Sequence, residues 1–368
     1  MNSSTAKIGF VPLFCITSLA VGLMNHVLVL PPLLGVARRD AWLSVLLIVI
    51  PFIIWMAVLH QIMRLTNQQP ILVWMQEQYG RAASFALRVL FFFHLFLINV
   101  ITVNETLTWA TGSYLPRTPE FALSVTLMLV GCYAAFSGLR AIAFTAGILF
   151  PFVVIFGDFV MSANLPRKNY ALLFPVLEYG WRPLVEGAGY VLGGLSELVM
   201  VLLLQHYLKN QLPFWKICLL GLFLVLLIFG PVTGAIAEFG PTEAAALRYP
   251  AYEQWRLVKL GRYIQHLDFF SIYQWLTGAF VRVAASMFLM LELAADEGSV
   301  KKRLIWMFSI AAAVLILVSL PFSDIQFLYF LRAYLLASMA VVLLVLIALL
   351  GLANLARWRG KPTDGRTQ

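Results

Sequence analysis

Apolar runs long enough to cross a bilayer recur along this chain, and they constrain it more than any other feature. A membrane helix needs roughly 20 predominantly apolar residues. Ten segments qualify: 8–35, 41–63, 82–112, 120–136, 141–163, 187–207, 215–236, 269–293, 304–321 and 326–356. Each must be helical, because lipid offers no partner for an unpaired backbone N–H or C=O. These runs explain a composition that is 61% hydrophobic and 12% charged, against about 25% charged in a soluble domain. A soluble fold of 368 residues has too little interior to hide that apolar surface. Disorder, coiled coil and nucleic-acid modules are excluded on the same ground. The expected class is an all-α polytopic membrane protein.

The first run is longer than the apolar part of a signal peptide and lacks a small-residue cleavage pattern, so it is expected to remain as the first span. Basic residues set the orientation. With the N-terminus in the cytoplasm, Lys7, Arg64, Arg81, Arg140, Lys209, Lys216, Lys301, Lys302 and Arg303 lie inside, with Arg357, Arg359, Lys361 and Arg366 after the last span. The external set is smaller once the long 237–268 connection is discounted, because the rule applies to short loops. Both termini are then cytoplasmic. The formal charge of +9 is read as this surface bias, not as a nucleic-acid footprint.

The ten spans fall as five plus five around the 164–186 connection. An odd number per half gives the halves opposite orientation, as in an inverted repeat of about 8–163 and 187–356 within one domain, 1–368. In the 237–268 connection, Tyr252, Trp255 and Val258 recur at helical spacing near Glu253, Arg256 and Arg262. This fits either a short interfacial helix or an ordered loop.

Catalysis has no support. Cys15, Cys132 and Cys218 stand alone, the histidines are scattered, and no nucleophile–His–acid order, phosphate loop or metal spacing occurs. No catalytic residue, metal ligand or cofactor is expected.

The chemistry lies in the breaks in apolarity. In inverted-repeat transporters the first helix of each half is often interrupted at mid-membrane, freeing backbone groups for a ligand. Span 1 has Gly22 followed by Asn25 and Pro31-Pro32, and span 6 has Gly187, Gly189, Gly193 and Gly194. Tight helix packing is the alternative for these glycines. A break at Gly193 predicts that Gly193→Leu abolishes function in a protein that still accumulates. If span 6 restarts after Gly194, Ser196 caps the new helix and Glu197 sits at its positive end. Span 3 carries Arg88, His94, Asn99, Asn104 and Glu105, with His94 and Glu105 on one face and Arg88 and Asn99 on another. Arg282 in span 8 needs an anion, and Glu105, Asp158 and Glu197 are candidates. It either forms a buried structural pair or attracts a ligand carboxylate.

The chain resembles the GerAB-type spore germination proteins of the amino acid–polyamine–organocation transporter superfamily. The resemblance rests on Leu30-Pro31 followed by Asp40-Ala41-Trp42-Leu43-Ser44, on Leu115-Pro116-Arg117-Thr118-Pro119, on Phe174-Pro175, and on Tyr249-Pro250 leading to Asp268 and Trp275. It implies a ten-helix fold with broken helices 1 and 6, in the spore inner membrane. It also implies the B subunit of a nutrient germinant receptor, beside an A-type membrane subunit and a C-type lipoprotein. An L-amino acid would touch Val21, Gly22 and Leu23 on span 1 and Gly193, Gly194 and Ser196 on span 6. Asn25, Asn104, Glu105, Glu197 and Arg282 complete the expected contact set. The Asn25-His26 pair departs from the small or apolar pattern of the family. A proton- or cation-coupled amino acid permease is the alternative that shares this site, and a channel is a third.

Overall fold

The computed structural model describes residues 7–259, 266–294 and 299–360. Arg262, Lys361 and Arg366 lie outside these described residues. Among the described residues the architecture is all helix, with one isolated bridge between Ile8 and Leu208.

Helix α1 (Phe10–Leu23) passes through a π-helical turn, Met24–Leu28, into α2 (Leu30–Ala37). Pro31 sits in the first turn of α2, where a missing N–H is tolerated. After a 3-10 turn come α3 (Ala41–Leu47) and α4 (Val49–Leu65). Single glycines join the next pairs. Gly80 separates α5 (Ile71–Tyr79) from α6 (Arg81–Ser113), and Gly138 separates α7 (Glu120–Ser137) from α8 (Leu139–Asn164). Their φ values of 90° and 92° lie in the region that a side chain would strain. Helix α9 (Trp181–Leu195) runs through a 3-10 turn, Ser196–Val199, into α10 (Met200–Leu204). The chain continues as α11 (Phe214–Phe239), α12 (Pro241–Ala246), α13 (Pro250–Arg256), α14 (Phe270–Ala294), α15 (Val300–Val318) and α16 (Asp324–Trp358). Ser323 and Gln326 form a reciprocal cap at the start of α16.

Eight helical stretches among the described residues are long and apolar enough to cross a membrane, as a polytopic membrane protein requires. The sequence predicts ten, and the two that fall short do so for identifiable reasons. Residues 41–63 divide at Ile48, so that α3 joins the first stretch and α4 has only 17 residues. Residues 304–321 become α15, whose first turn carries Lys301, Lys302 and Arg303.

Burial separates an inner layer from an outer one. In the apolar part of each stretch, 89% of residues are buried in Phe10–Leu47 and in Trp181–Tyr207, and 83% in Phe270–Ala294. The figures fall to 22% in Leu139–Arg167 and 28% in Asp324–Trp358. Small residues allow the inner helices to approach. A Cβ on Gly193 would run into the backbone carbonyl of Leu335, and one on Gly187 would meet Ser44 and Leu33.

Each end of the bundle is pinned. At the end that holds Ile8, its N–H donates to Tyr207 O at 2.7 Å and Lys209 N–H donates to Ile8 O at 3.0 Å. At the other end, Asn169 N–H donates to Ala237 O at 2.9 Å, and Lys168 Nζ lies 3.6 Å from Glu238 Oε1. The helix expected around Tyr252 and Trp255 is α13. Trp255 and the following Val258 are buried in a small cluster with Val160 and Leu267.

Candidate functional site

The buried charges of the inner layer meet at one point. Arg282 projects from α14 and Glu197 from the 3-10 turn after α9, and both side chains are fully buried. The guanidinium grips the carboxylate with two bonds: Nη2 donates to Glu197 Oε1 at 2.6 Å and Nη1 donates to Oε2. Arg282 Nη1 also donates to Ala20 O at 2.8 Å, and Nε donates to Thr102 Oγ1 at 2.8 Å. Tyr334 Oη donates to Glu197 Oε1 at 3.1 Å. Five helical stretches therefore converge on one ion pair, and each carboxylate oxygen and each guanidinium nitrogen has a partner. A bidentate pair with satisfied edges is the arrangement that makes buried charge tolerable.

A polar shell supports the pair. Ser286 Oγ donates to Arg282 O at 2.6 Å, and Asn99 Nδ2 donates to Ser286 Oγ at 2.8 Å. The Ser196 and Ser338 hydroxyls lie 2.8 Å apart. The His94 ring stacks on Tyr334 with centroids 6.1 Å apart.

Contacts close over the pair at both ends. On the Ile8 side, Tyr207 Oη donates to Glu292 Oε2 at 2.6 Å, and Arg303 Nη1 lies 3.2 Å from Glu292 Oε1. On the other side Trp109 and Trp275 stack at 4.3 Å, with Tyr114 and Tyr252 edge-on to Trp109. Tyr249 is edge-on to Trp275 at 5.3 Å, and the Arg248 guanidinium lies 4.7 Å above the Tyr249 ring. Arg248 Nη2 donates to Glu105 Oε1. Burial, then the charge of Glu105, pushes the Tyr249 phenol above its ordinary range, so it stays protonated as a donor. A groove outside this centre, lined by Val300, Lys301, Leu304 and Phe308, lies on the surface of α15.

The expected contact residues separate into groups. Glu197, Arg282 and Ser196 come together. Of the candidate partners for Arg282, Glu197 is the one engaged, Glu105 is taken by Arg248, and Asp158 is exposed. Val21, Gly22 and Leu23 are buried beside the pair, but the carbonyl that reaches Arg282 belongs to Ala20. Asn25 Nδ2 donates to Val21 O at 3.0 Å, and its Oδ1 faces the backbone at Gly194. Asn104 is two residues from Thr102, about 200° around α6, and is only partly buried.

Three expectations are corrected. The two helix breaks are not unwound: span 1 distorts into a π-turn and span 6 into a 3-10 turn, with helical backbone throughout. Ser196 caps nothing, because its hydroxyl donates backward to Gly193 O at 2.7 Å. Arg88 and Asn99 do not share one buried face, since Asn99 is buried and Arg88 is exposed near the start of α6. The sequence reading missed Thr102 and Tyr334. Threonine is unremarkable in a membrane helix, and Tyr334 lies 137 residues from the carboxylate it contacts.

The profile of a family described as "Spore germination protein" matches residues 10–327. "Spore germination protein XB" of Bacillus anthracis is 36% identical over 332 residues, covering 90% of this chain and 93% of that protein.

Proposed function

Because the chain belongs to the spore germination protein family, we propose that it is the B-type subunit of a nutrient germinant receptor. It sits in the spore inner membrane with both termini in the cytoplasm. Its architecture is a ten-helix, five-plus-five inverted repeat, in which α4 and α15 serve as the two shorter crossings. An A-type membrane subunit and a C-type lipoprotein are its partners. The function is recognition and signalling, without chemistry on the ligand.

The buried Glu197–Arg282 pair carries this reading. The ligand is a small amino acid, whose ammonium matches Glu197 and whose carboxylate matches Arg282. Taking both partners at once keeps every charge paired, whereas a ligand of one charge leaves the other residue bare. The pair links the Ala20 carbonyl, Thr102, the turn after α9, α14 and Tyr334, so opening it repositions several helices together. A ligand signals only if it favours one of those arrangements, since equal affinity shifts nothing.

Deletion of the gene tests the reading. Spores without it should fail to lose optical density on at least one L-amino acid that triggers the parent, and normal germination on every nutrient would sink the proposal. A coupled permease would use the same pair. It predicts substrate accumulation in proteoliposomes under a proton or sodium gradient, where a receptor subunit shows none.

A further inference from the structure

Polar bookkeeping distinguishes the central pair from a second cluster nearer the 240–258 segment. At the centre, every nitrogen of Arg282 and both oxygens of Glu197 are engaged. In the second cluster Arg248 Nη2 donates to Glu105 Oε1, and there the pairing stops. Arg248 Nε, Arg248 Nη1, Glu105 Oε2 and Tyr249 Oη are all buried without a hydrogen-bond partner among the described residues. Tyr249 Oη does interact with the Glu105 carboxylate, but more loosely than a full hydrogen bond, so Arg248 Nε and Nη1 are the barest atoms of the group. Buried polar atoms in folded proteins are overwhelmingly paired, so a group of orphans within three touching residues calls for an occupant.

From these orphaned atoms we propose that Glu105, Arg248 and Tyr249 form a second ligand site, which takes the head group of a small zwitterion. The orphan donors on Arg248 suit a carboxylate, and the orphan oxygen of Glu105 suits an ammonium. The Tyr249 hydroxyl can serve either. Asp324, at the start of α16, also acts on all three residues. Asp324 adds a longer-range negative charge without touching the cluster, which disfavours a ligand carrying only negative charge.

Access and separation follow from position. The Glu105 side chain is 1% exposed but that of Arg248 is 21% exposed, so the cluster reaches the surface through Arg248. Arg248 lies in the short connection between α12 and α13, not within a helix. Trp275, stacked on Trp109, forms the inner wall, and it stands seven residues from Arg282, about 10 Å along α14. Lys168 and Glu238 also lack full hydrogen bonds, but they pair with one another at 3.6 Å and their side chains are completely enclosed, which leaves a ligand no entry.

This inference rests on the reading that the protein takes an amino-acid-like ligand. The test uses the full chain in lipid nanodiscs, titrated with each of the twenty common L-α-amino acids, with propylamine and with acetate. Binding is read by calorimetry and by the emission of the tryptophans beside the cluster. At least one amino acid should bind, and propylamine and acetate should bind at least tenfold more weakly. Glu105→Gln and Arg248→Gln should each weaken binding about tenfold to a hundredfold. Thermal unfolding of each variant checks that it is folded, and Arg248→Gln decides the matter if Glu105→Gln does not accumulate. Unchanged affinity in both variants, with loss only in the Glu197→Gln/Arg282→Gln double variant, overturns the second site and leaves the central one standing. No binding of any amino acid to the unmodified protein overturns both.

Discussion

Removing one partner of the central pair should do more harm than removing both. In Glu197→Gln, the Arg282 guanidinium keeps Ala20 O and Thr102 Oγ1 but loses its counter-charge while remaining fully buried. In Arg282→Gln, the Glu197 carboxylate keeps only the Tyr334 hydroxyl. An uncompensated buried charge costs about 3–5 kcal/mol. In the double variant Glu197→Gln/Arg282→Gln the two amides are neutral and can bond to one another. Replacing a whole buried pair by well-packed uncharged residues of similar volume is often close to neutral in stability, and two mutually bonded amides approach that case more nearly than either single variant. The expected coupling is therefore about 3 kcal/mol or more, at or above the upper end for contacting residues. Reversible unfolding of the purified protein in mixed detergent micelles, followed by tryptophan emission, measures each leg of the cycle. Single variants within about 1 kcal/mol of the parent, or a double variant whose loss equals the sum of the singles, would refute the argument.

Other substitutions probe neighbouring contacts. Gly193→Ala should lower the amount of folded protein in the membrane, at a cost of about 1–3 kcal/mol, because its Cβ meets the Leu335 backbone. This replaces the expectation that a larger residue there spares accumulation, and Gly112→Ala, with open space around it, should accumulate normally. Glu105→Gln should lower the unfolding temperature more than Glu292→Gln, since the Glu105 side chain is 1% exposed and that of Glu292 is 26%; equal shifts would contradict the burial argument. Trp109→Ala should destabilise by about 3–5 kcal/mol, since it removes a buried ring stacked on Trp275, and denaturant titration of the purified variant reads the loss.

Much of the central site was legible from charge within apolar runs. Glu197 and Arg282 stand out because a lone charge at mid-membrane needs a partner or a task. Their identity as partners was not legible, since Asp158 and Glu105 were equally good candidates by sequence. Arg248 fell within the 237–268 connection that the charge count set aside, although it partners a buried carboxylate. The glycines of span 6 were ambiguous between a break and a close crossing. Gly193 proves to be a crossing point with α16, while the distortion of span 6 falls just after Leu195.

The chain by itself determined its solvent and its secondary structure. Apolar runs of bilayer length leave the backbone no choice but to pair within helices. Glycines such as Gly80 and Gly138, and the Ser323-Gln326 cap, mark helix ends by local rules that need no neighbour. The tertiary structure alone decided which helices are inner and which charges meet. In lipid, apolar side chains are equally at home against a neighbour or a tail, so hydropathy says little about which helices touch. Close crossings at Gly187 and Gly193, and the hydrogen bonds that gather Ala20, Thr102, Glu197, Arg282 and Tyr334, settle that arrangement.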